Sequence, residues 1–258
     1  MRINFTIQHL LIYQTMALYL LAWVVYVLKY KKTGTAIYTL GFAVAMISVA
    51  YRWITVGHIP LQNLFEVFLF LGLLAFPLSV LSQRVLNVGG QACDMIIGII
   101  VLFPAAFVFS AEPQHLPPVL QSWLFAPHVA VYMLAYIIMT KAACQGLGGL
   151  IYNSAMDHEF RAYKLVCLGF PLLTLGIVLG SFWAKIAWGD YWNWDPKEMW
   201  SLATWLVFIG YFHYRYMTGV KYLKINCLWI VTGFAFIVIT LLWVNLSRIF
   251  IGLHNYAI

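Results

Sequence analysis

Eight predominantly apolar runs dominate the chain, at residues 8–28, 34–51, 64–82, 94–110, 126–143, 163–182, 199–217 and 226–246, each bounded by charge or by Pro and Gly clusters. Each is close to the roughly 20 residues that a helix needs to cross the hydrocarbon core of a bilayer. In that layer a backbone N–H or C=O finds no partner outside its own segment, so the runs are expected to be helices. A closed β-barrel would instead show strands of about ten residues in strict alternation. Composition agrees: 9% of the 258 residues are charged, against about 25% in a soluble domain. The expected class is all-α, a polytopic membrane protein of about eight transmembrane helices forming a single integral membrane domain over residues 1–258. The net charge of +7 does not indicate nucleic acid, because the basic residues are scattered over loops and form no stripe.

Orientation follows from Lys and Arg. With the amino terminus outside, the inner side receives Lys29, Lys31, Lys32, Arg84, Lys141, Arg161, Lys164, Arg215, Lys221 and Lys224. The outer side keeps Arg2, Arg52, Lys185, Lys197 and Arg248, so both termini are expected on the outer (periplasmic) side. The 110–125 loop carries no Lys or Arg, as an outer loop should. The first run ends in Lys-rich sequence without a small-residue cleavage site, and reads as a retained helix rather than a signal peptide. Cys93, Cys144, Cys167 and Cys227 fall near inner helix ends and form no CxxC, so they are expected to be buried, reduced packing residues.

Six of the eleven tryptophans lie between residues 183 and 205. An aromatic belt at the headgroups accounts for Trp23, Trp123 and Trp243, and partly for Trp183, Trp200 and Trp205. It does not account for AWGDYWNWDPKEMW, where Trp188, Trp192 and Trp194 come with Gly189, Asp190, Asp195, Pro196, Lys197 and Glu198 between two runs. Trp188, Tyr191, Trp192 and Asp195 are spaced as on one face of a helical turn lying along the membrane surface. Pro196 suits the first turn of the next helix. Flat apolar faces edged by indole N–H groups and carboxylates suit a large planar ligand with polar margins, a porphyrin or a quinone head group.

Histidines separate these two. His128 opens the fifth run and His254 follows the eighth, on the same expected face as the Trp-rich segment. Two neutral imidazoles flanking an aromatic bed are what six-coordinate haem iron takes. His213, in YFHYR, sits at the opposite end of the seventh run, where it is either a ligand on the inner face or an interfacial residue beside Arg215. His58 and His115 on outer loops, His9 and His158 are weaker candidates.

WGDYWNWDPKEMWSLATWL resembles the WWD signature of haem-handling membrane proteins of cytochrome c maturation, in the WDPKE form of the CcsA (ResC) family of System II synthases. YRWITVGHIPLQNLFE, LQSWLFAPHVAVYMLAY and GLHNYA agree with it, over roughly residues 40–257. The resemblance implies that haem b (iron protoporphyrin IX) reaches the outer face of a bacterial cytoplasmic membrane, or its plastid thylakoid equivalent. There it meets the reduced CxxCH of an apocytochrome c and two thioether bonds form. His128 and His254 are then the outer axial ligands, and Trp188, Gly189, Trp192, Trp194 and Asp195, continuing into Pro196 and Glu198, form a haem-binding segment at 183–200. Asp195 or Glu198 assists proton delivery, and His213 matches the family's transmembrane histidine. Arg52, Asn63 and Glu66 match a recurring pattern without an assigned task. The chain contains nothing like the large ResB (CcsB) domain, so an obligate ResB-type partner is expected; either that partner supplies a second ligand opposite His213 or haem there has one protein ligand. Three other readings fit less well: a CcmC-like haem exporter, against which eight runs and the PKE continuation argue; a membrane b-type cytochrome, which would place paired histidines in mid-membrane; and a transporter, for which acidic pairs and broken helices are wanting.

Overall fold

The structure is a computed structural model and describes residues 6–152, 154–246 and 252–254. Arg2 and Arg248, counted above among the outer charges, lie outside the described residues. Each apolar run falls in a helix: α1 Ile7–Val27, α2 Lys31–Val56, α3 Leu64–Arg84, α4 Gln91–Phe107, α5 Phe125–Ile151, α6 Ala155–Trp188, α7 Pro196–Thr218 and α8 Leu223–Val238. The last continues through a π turn, Ile239–Trp243, to Leu246, and a 3-10 turn at Pro118–Leu120 precedes α5. Among the described residues six helices are long and apolar enough to cross a membrane. The other two are α4, with 17 residues, and α7, whose 23 residues include Lys197, Glu198, His213 and Arg215. The protein is thus an all-α polytopic membrane protein.

Local chemistry sets the helix ends. Thr6 and Asn63 cap α1 and α3 by accepting from the N–H groups of His9 and Glu66. Gly57 and Gly189 end α2 and α6 in the left-handed conformation. Asp195 and Glu198 form a reciprocal capping box on α7, with Pro196 at its first position as expected.

The described helices form two compact units, one up to Pro118 and one from Val119. In the first, α1 packs on α2 and α4, and α3 packs on α4 and α2. Tyr19 stands at its centre, with its hydroxyl donating to Gly72 O (3.2 Å) and its ring edge-on to Tyr38. At the C-terminal end of α2 lies a buried clasp that gives Arg52, Asn63 and Glu66 a task. Arg52 Nε donates to Glu66 Oε1 (2.9 Å) and its Nη1 to Ala111 O (2.5 Å). Glu66 Oε2 accepts from Gln62 N (2.8 Å), and Gln62 Nε2 donates to His115 O (3.1 Å). The His58 ring nitrogens lie 3.1 and 3.3 Å from the carbonyls of Ile59 and Gln114. An ion pair excluded from water is what fixes the loop after α4 onto the start of α3.

In the second unit α5 packs on α6 and α8, while α7 packs on α8 and α6. The cysteines depart from the uniform burial expected: Cys227 is buried, Cys93 and Cys144 are partly covered and Cys167 is exposed. A cysteine on an apolar helix is as well accommodated against lipid as against protein, so its burial does not follow from its position along the helix.

Candidate functional site

The site is built where α5 and α7 begin and α6 ends, within the second unit. Helices α5 and α6 run antiparallel, and their close approach uses Gly176 and Gly180, one turn apart. A Cβ on Gly180 would stand 2.5 Å from His128 Cε1, and one on Gly176 would stand 2.9 Å from the Tyr132 ring. Into the space they leave, His128 lays its imidazole. Its Nδ1 donates to Gly176 O (3.0 Å), and the ring stacks on Trp183 at 5.8 Å with 20° between planes. With the proton on Nδ1, the ring's lone pair lies on Nε2.

Trp183 is the pivot of the cluster. It is 1% exposed, and its indole N–H donates to Val119 O (3.2 Å). It meets Trp188 edge-on at 4.8 Å and the His254 ring at 5.6 Å. Trp188 in turn meets His254 edge-on at 4.7 Å. Two imidazoles far apart in sequence therefore stand on one indole, and the second of them also on its neighbour.

Beyond Trp188 the expected surface helical turn does not form. Gly189 takes φ +93° and Trp194 φ +55°, and residues 189–195 run as an irregular connection. The left-handed cap stops α6 before the aromatic face can continue. Trp192 and Trp194 consequently pair with each other, at 6.0 Å, and Trp194 is 67% exposed.

The connection ends in a tight polar joint. Glu198 Oε2 accepts from the N–H groups of Asn193 (2.8 Å) and Asp195 (3.1 Å). Asp195, 5% exposed, accepts at Oδ1 from Lys197 N (2.9 Å) and from His254 Nδ1 (2.8 Å), and at Oδ2 from Leu253 N (2.6 Å). Lys197 Nζ donates to His254 O (3.1 Å). Burial lowers the pKa of His254 despite the carboxylate beside it, which favours the neutral ring. Burial alone would raise Asp195, but the His254 ring and the N–H groups of Lys197 and Leu253 outweigh it and hold the carboxyl below its ordinary value. The combination is a neutral imidazole donating from Nδ1 to a carboxylate, again with the lone pair on Nε2.

His213 is remote from this cluster. It lies 18 residues from Asp195 along α7, about 27 Å at 1.5 Å per residue. Its Nδ1 donates to Ile209 O (2.9 Å), and its exposed ring lines a cavity of about 530 Å³ with Tyr163, Phe212, Arg215 and Tyr216. Arg215 is held there by Glu159 (2.6 Å) and lies over the Tyr163 ring at 3.6 Å. His58 and the His115 carbonyl serve the clasp of the first unit, His9 lies against Thr6 Oγ1, and His158 against Gln145 Oε1.

In the sequence Trp183 stands out only partly as a site residue, and Gly176, Gly180 and Gly252 do not stand out at all. The Gly176-x-x-x-Gly180 spacing, followed one turn later by Trp183, was the available signal. Gly252 has none beyond its place in GLH. The bond from Lys197 Nζ is made across more than fifty residues and is legible only in three dimensions.

Fold and site together define a helical membrane protein that sets two imidazoles on paired indoles at one end of a four-helix unit. Residues 9–252 match the cytochrome C assembly protein family, and the chain belongs to that family. It is 32% identical over 255 residues to cytochrome c biogenesis protein CcsA of Trieres chinensis, covering 80% of each chain. It is 28% identical over 290 residues to the protein of that name from Synechococcus elongatus, covering 86% of this chain and 87% of the relative. A third CcsA, from Chlamydomonas reinhardtii, is 30% identical over an alignment of 226 residues, covering 80% of this chain and 63% of the relative. This membership places the chain in cytochrome c biogenesis.

Proposed function

We propose that the chain is the haem-presenting subunit of a System II cytochrome c synthase. In this reading haem b is the substrate, held by His128 and His254 at the outer side of the bacterial cytoplasmic membrane or of the thylakoid equivalent. It is joined there to the reduced CxxCH of an apocytochrome c through two thioether bonds, in an obligate complex with a ResB (CcsB)-type partner. The observation that carries the reading is the pair of imidazoles on Trp183, each with Nδ1 bonded and its lone pair on Nε2. Two histidine donors of that tautomer beside a flat apolar wall fit a porphyrin iron.

The chain's own residues bind and orient. Trp183 and Trp188 supply the flat surface, the two histidines fix the position of the iron, and the Asp195 joint fixes His254. Haem supplies the vinyl groups to which the two thiols add. Holding both partners together is the main contribution to rate. The cavity beside His213 has aromatic walls and a cation at Arg215, which suits the same ligand before it reaches the outer face.

The test is co-expression with a ResB-type partner and a CxxCH apocytochrome in a host lacking its own maturation system. Covalently bound haem on the apocytochrome is expected. A chain that co-purifies with haem but leaves the apocytochrome unmodified would replace the synthase reading with haem export to a carrier.

A further inference from the structure

We infer that Asp195 is a positioning residue for the His254 ligand, fixing the ring's tautomer and direction through the Nδ1···Oδ1 bond and making it a stronger donor through the carboxylate's charge. The inference rests on the ligand reading above and says how that ligand is held. Four observations meet at this carboxylate. The segment 252–254 is not helical, and three bonds tie it to the start of α7: Leu253 N to Asp195 Oδ2, His254 Nδ1 to Asp195 Oδ1, and Lys197 Nζ to His254 O. Gly252 lies so close that a Cβ there would collide with Asp195 Oδ2 and press on Pro196. Asp195 is itself immobilised, because it caps α7 and Glu198 holds its own N–H. Lastly, His128 makes the equivalent Nδ1 bond to a neutral carbonyl, Gly176 O, so the two rings differ in the charge behind them.

A carboxylate on the far nitrogen of a metal-bound histidine orients the ring and raises its basicity, and loss of such a partner costs about 10- to 100-fold in metal affinity. The effect is larger where the carboxylate is shielded from water. The aspartate that closes the Trp-rich motif and the GLH segment near the end of the chain are in this way one structural unit. Asp195 acts through His254 rather than on the reacting atoms.

The test uses the haem-loaded protein with its partner, comparing wild type, Asp195→Asn, Gly252→Ala and His254→Ala. Asn caps a helix as well as Asp, so Asp195→Asn removes the charge and the acceptor for Leu253 N while keeping the start of α7. Its haem affinity should fall about 10- to 100-fold, and the midpoint potential of the haem still bound should rise. Gly252→Ala, which displaces the Asp195 carboxylate while leaving its charge in place, should weaken haem binding in the same direction. If His254→Ala loses haem while Asp195→Asn keeps both affinity and potential, the positioning role is overturned and the ligand reading stands. Weaker binding with an unmoved potential would likewise overturn it, because the carboxylate's charge would then have no effect on the ligand. If His254→Ala leaves haem content and spectrum unchanged, the ligand reading itself fails and this inference with it.

Discussion

His128 stands where it does because Gly180 and Gly176 have no side chains, and this makes the neighbouring helix a sensitive place to perturb the site. In Gly180→Ala the new Cβ would press on the ring at 2.5 Å, an overpacking cost of about 1–3 kcal/mol. Purified Gly180→Ala protein should carry less haem and unfold at lower temperature, and unchanged haem content would detach His128 from the site. Gly189 tests backbone rather than packing. It sits at φ +93° with open space around it, so Gly189→Ala should cost about 1–2 kcal/mol in a thermal melt without any steric clash. His128, His254 and Asp195 were legible in the sequence because polar groups are costly in so apolar a chain and stand out. Trp183 was half hidden, since a tryptophan near a helix end looks the same whether it faces lipid or a histidine. The face expected from Trp188, Tyr191, Trp192 and Asp195 does not form, because the left-handed turn at Gly189 breaks the helical period on which that grouping depended.

The helices themselves were readable from the apolar runs, since backbone hydrogen bonding in a bilayer leaves little choice. Their ends were not. α6 extends from Ala155 to Trp188, past the apolar run at 163–182 at both ends, with Asp157, Glu159 and Arg161 in its first turns and Lys185 in its last. Glu159 shows how α6, α7 and α8 are joined there: it is 1% exposed and accepts from Arg215, Tyr211 and Asn226. Glu159→Ala would leave the Arg215 guanidinium and the Tyr211 hydroxyl without this acceptor, at a cost of about 3 kcal/mol. The variant should unfold earlier in a thermal melt and lose the shape of the cavity beside His213. In the first unit Arg52→Ala should release the loop at 108–118, seen as faster cleavage by a protease added to that side, because the loop's carbonyls at Ala111 and Glu112 lose their donors. The sequence pattern marked Arg52 and Glu66 but not their purpose, which depends on a carbonyl almost sixty residues away.

For the whole molecule, composition marks an apolar membrane domain but not the division of the described helices into two compact units, and the Lys and Arg count is the ground for the expected sidedness. That orientation predicts that a cysteine at Gln114, in a background without the four native cysteines, reacts with a membrane-impermeant thiol reagent from outside. A cysteine at Tyr216 should react only after the membrane is permeabilised. The reverse labelling would place the Trp-rich segment on the wrong side for an exported apocytochrome. The most direct test of the function is the absorption spectrum of the purified protein with its partner, in wild type, His128→Ala and His254→Ala. Each substitution should lower haem content, and added imidazole should restore a six-coordinate spectrum. Spectra unchanged in both variants would contradict the assignment of these two histidines as the ligands that hold haem.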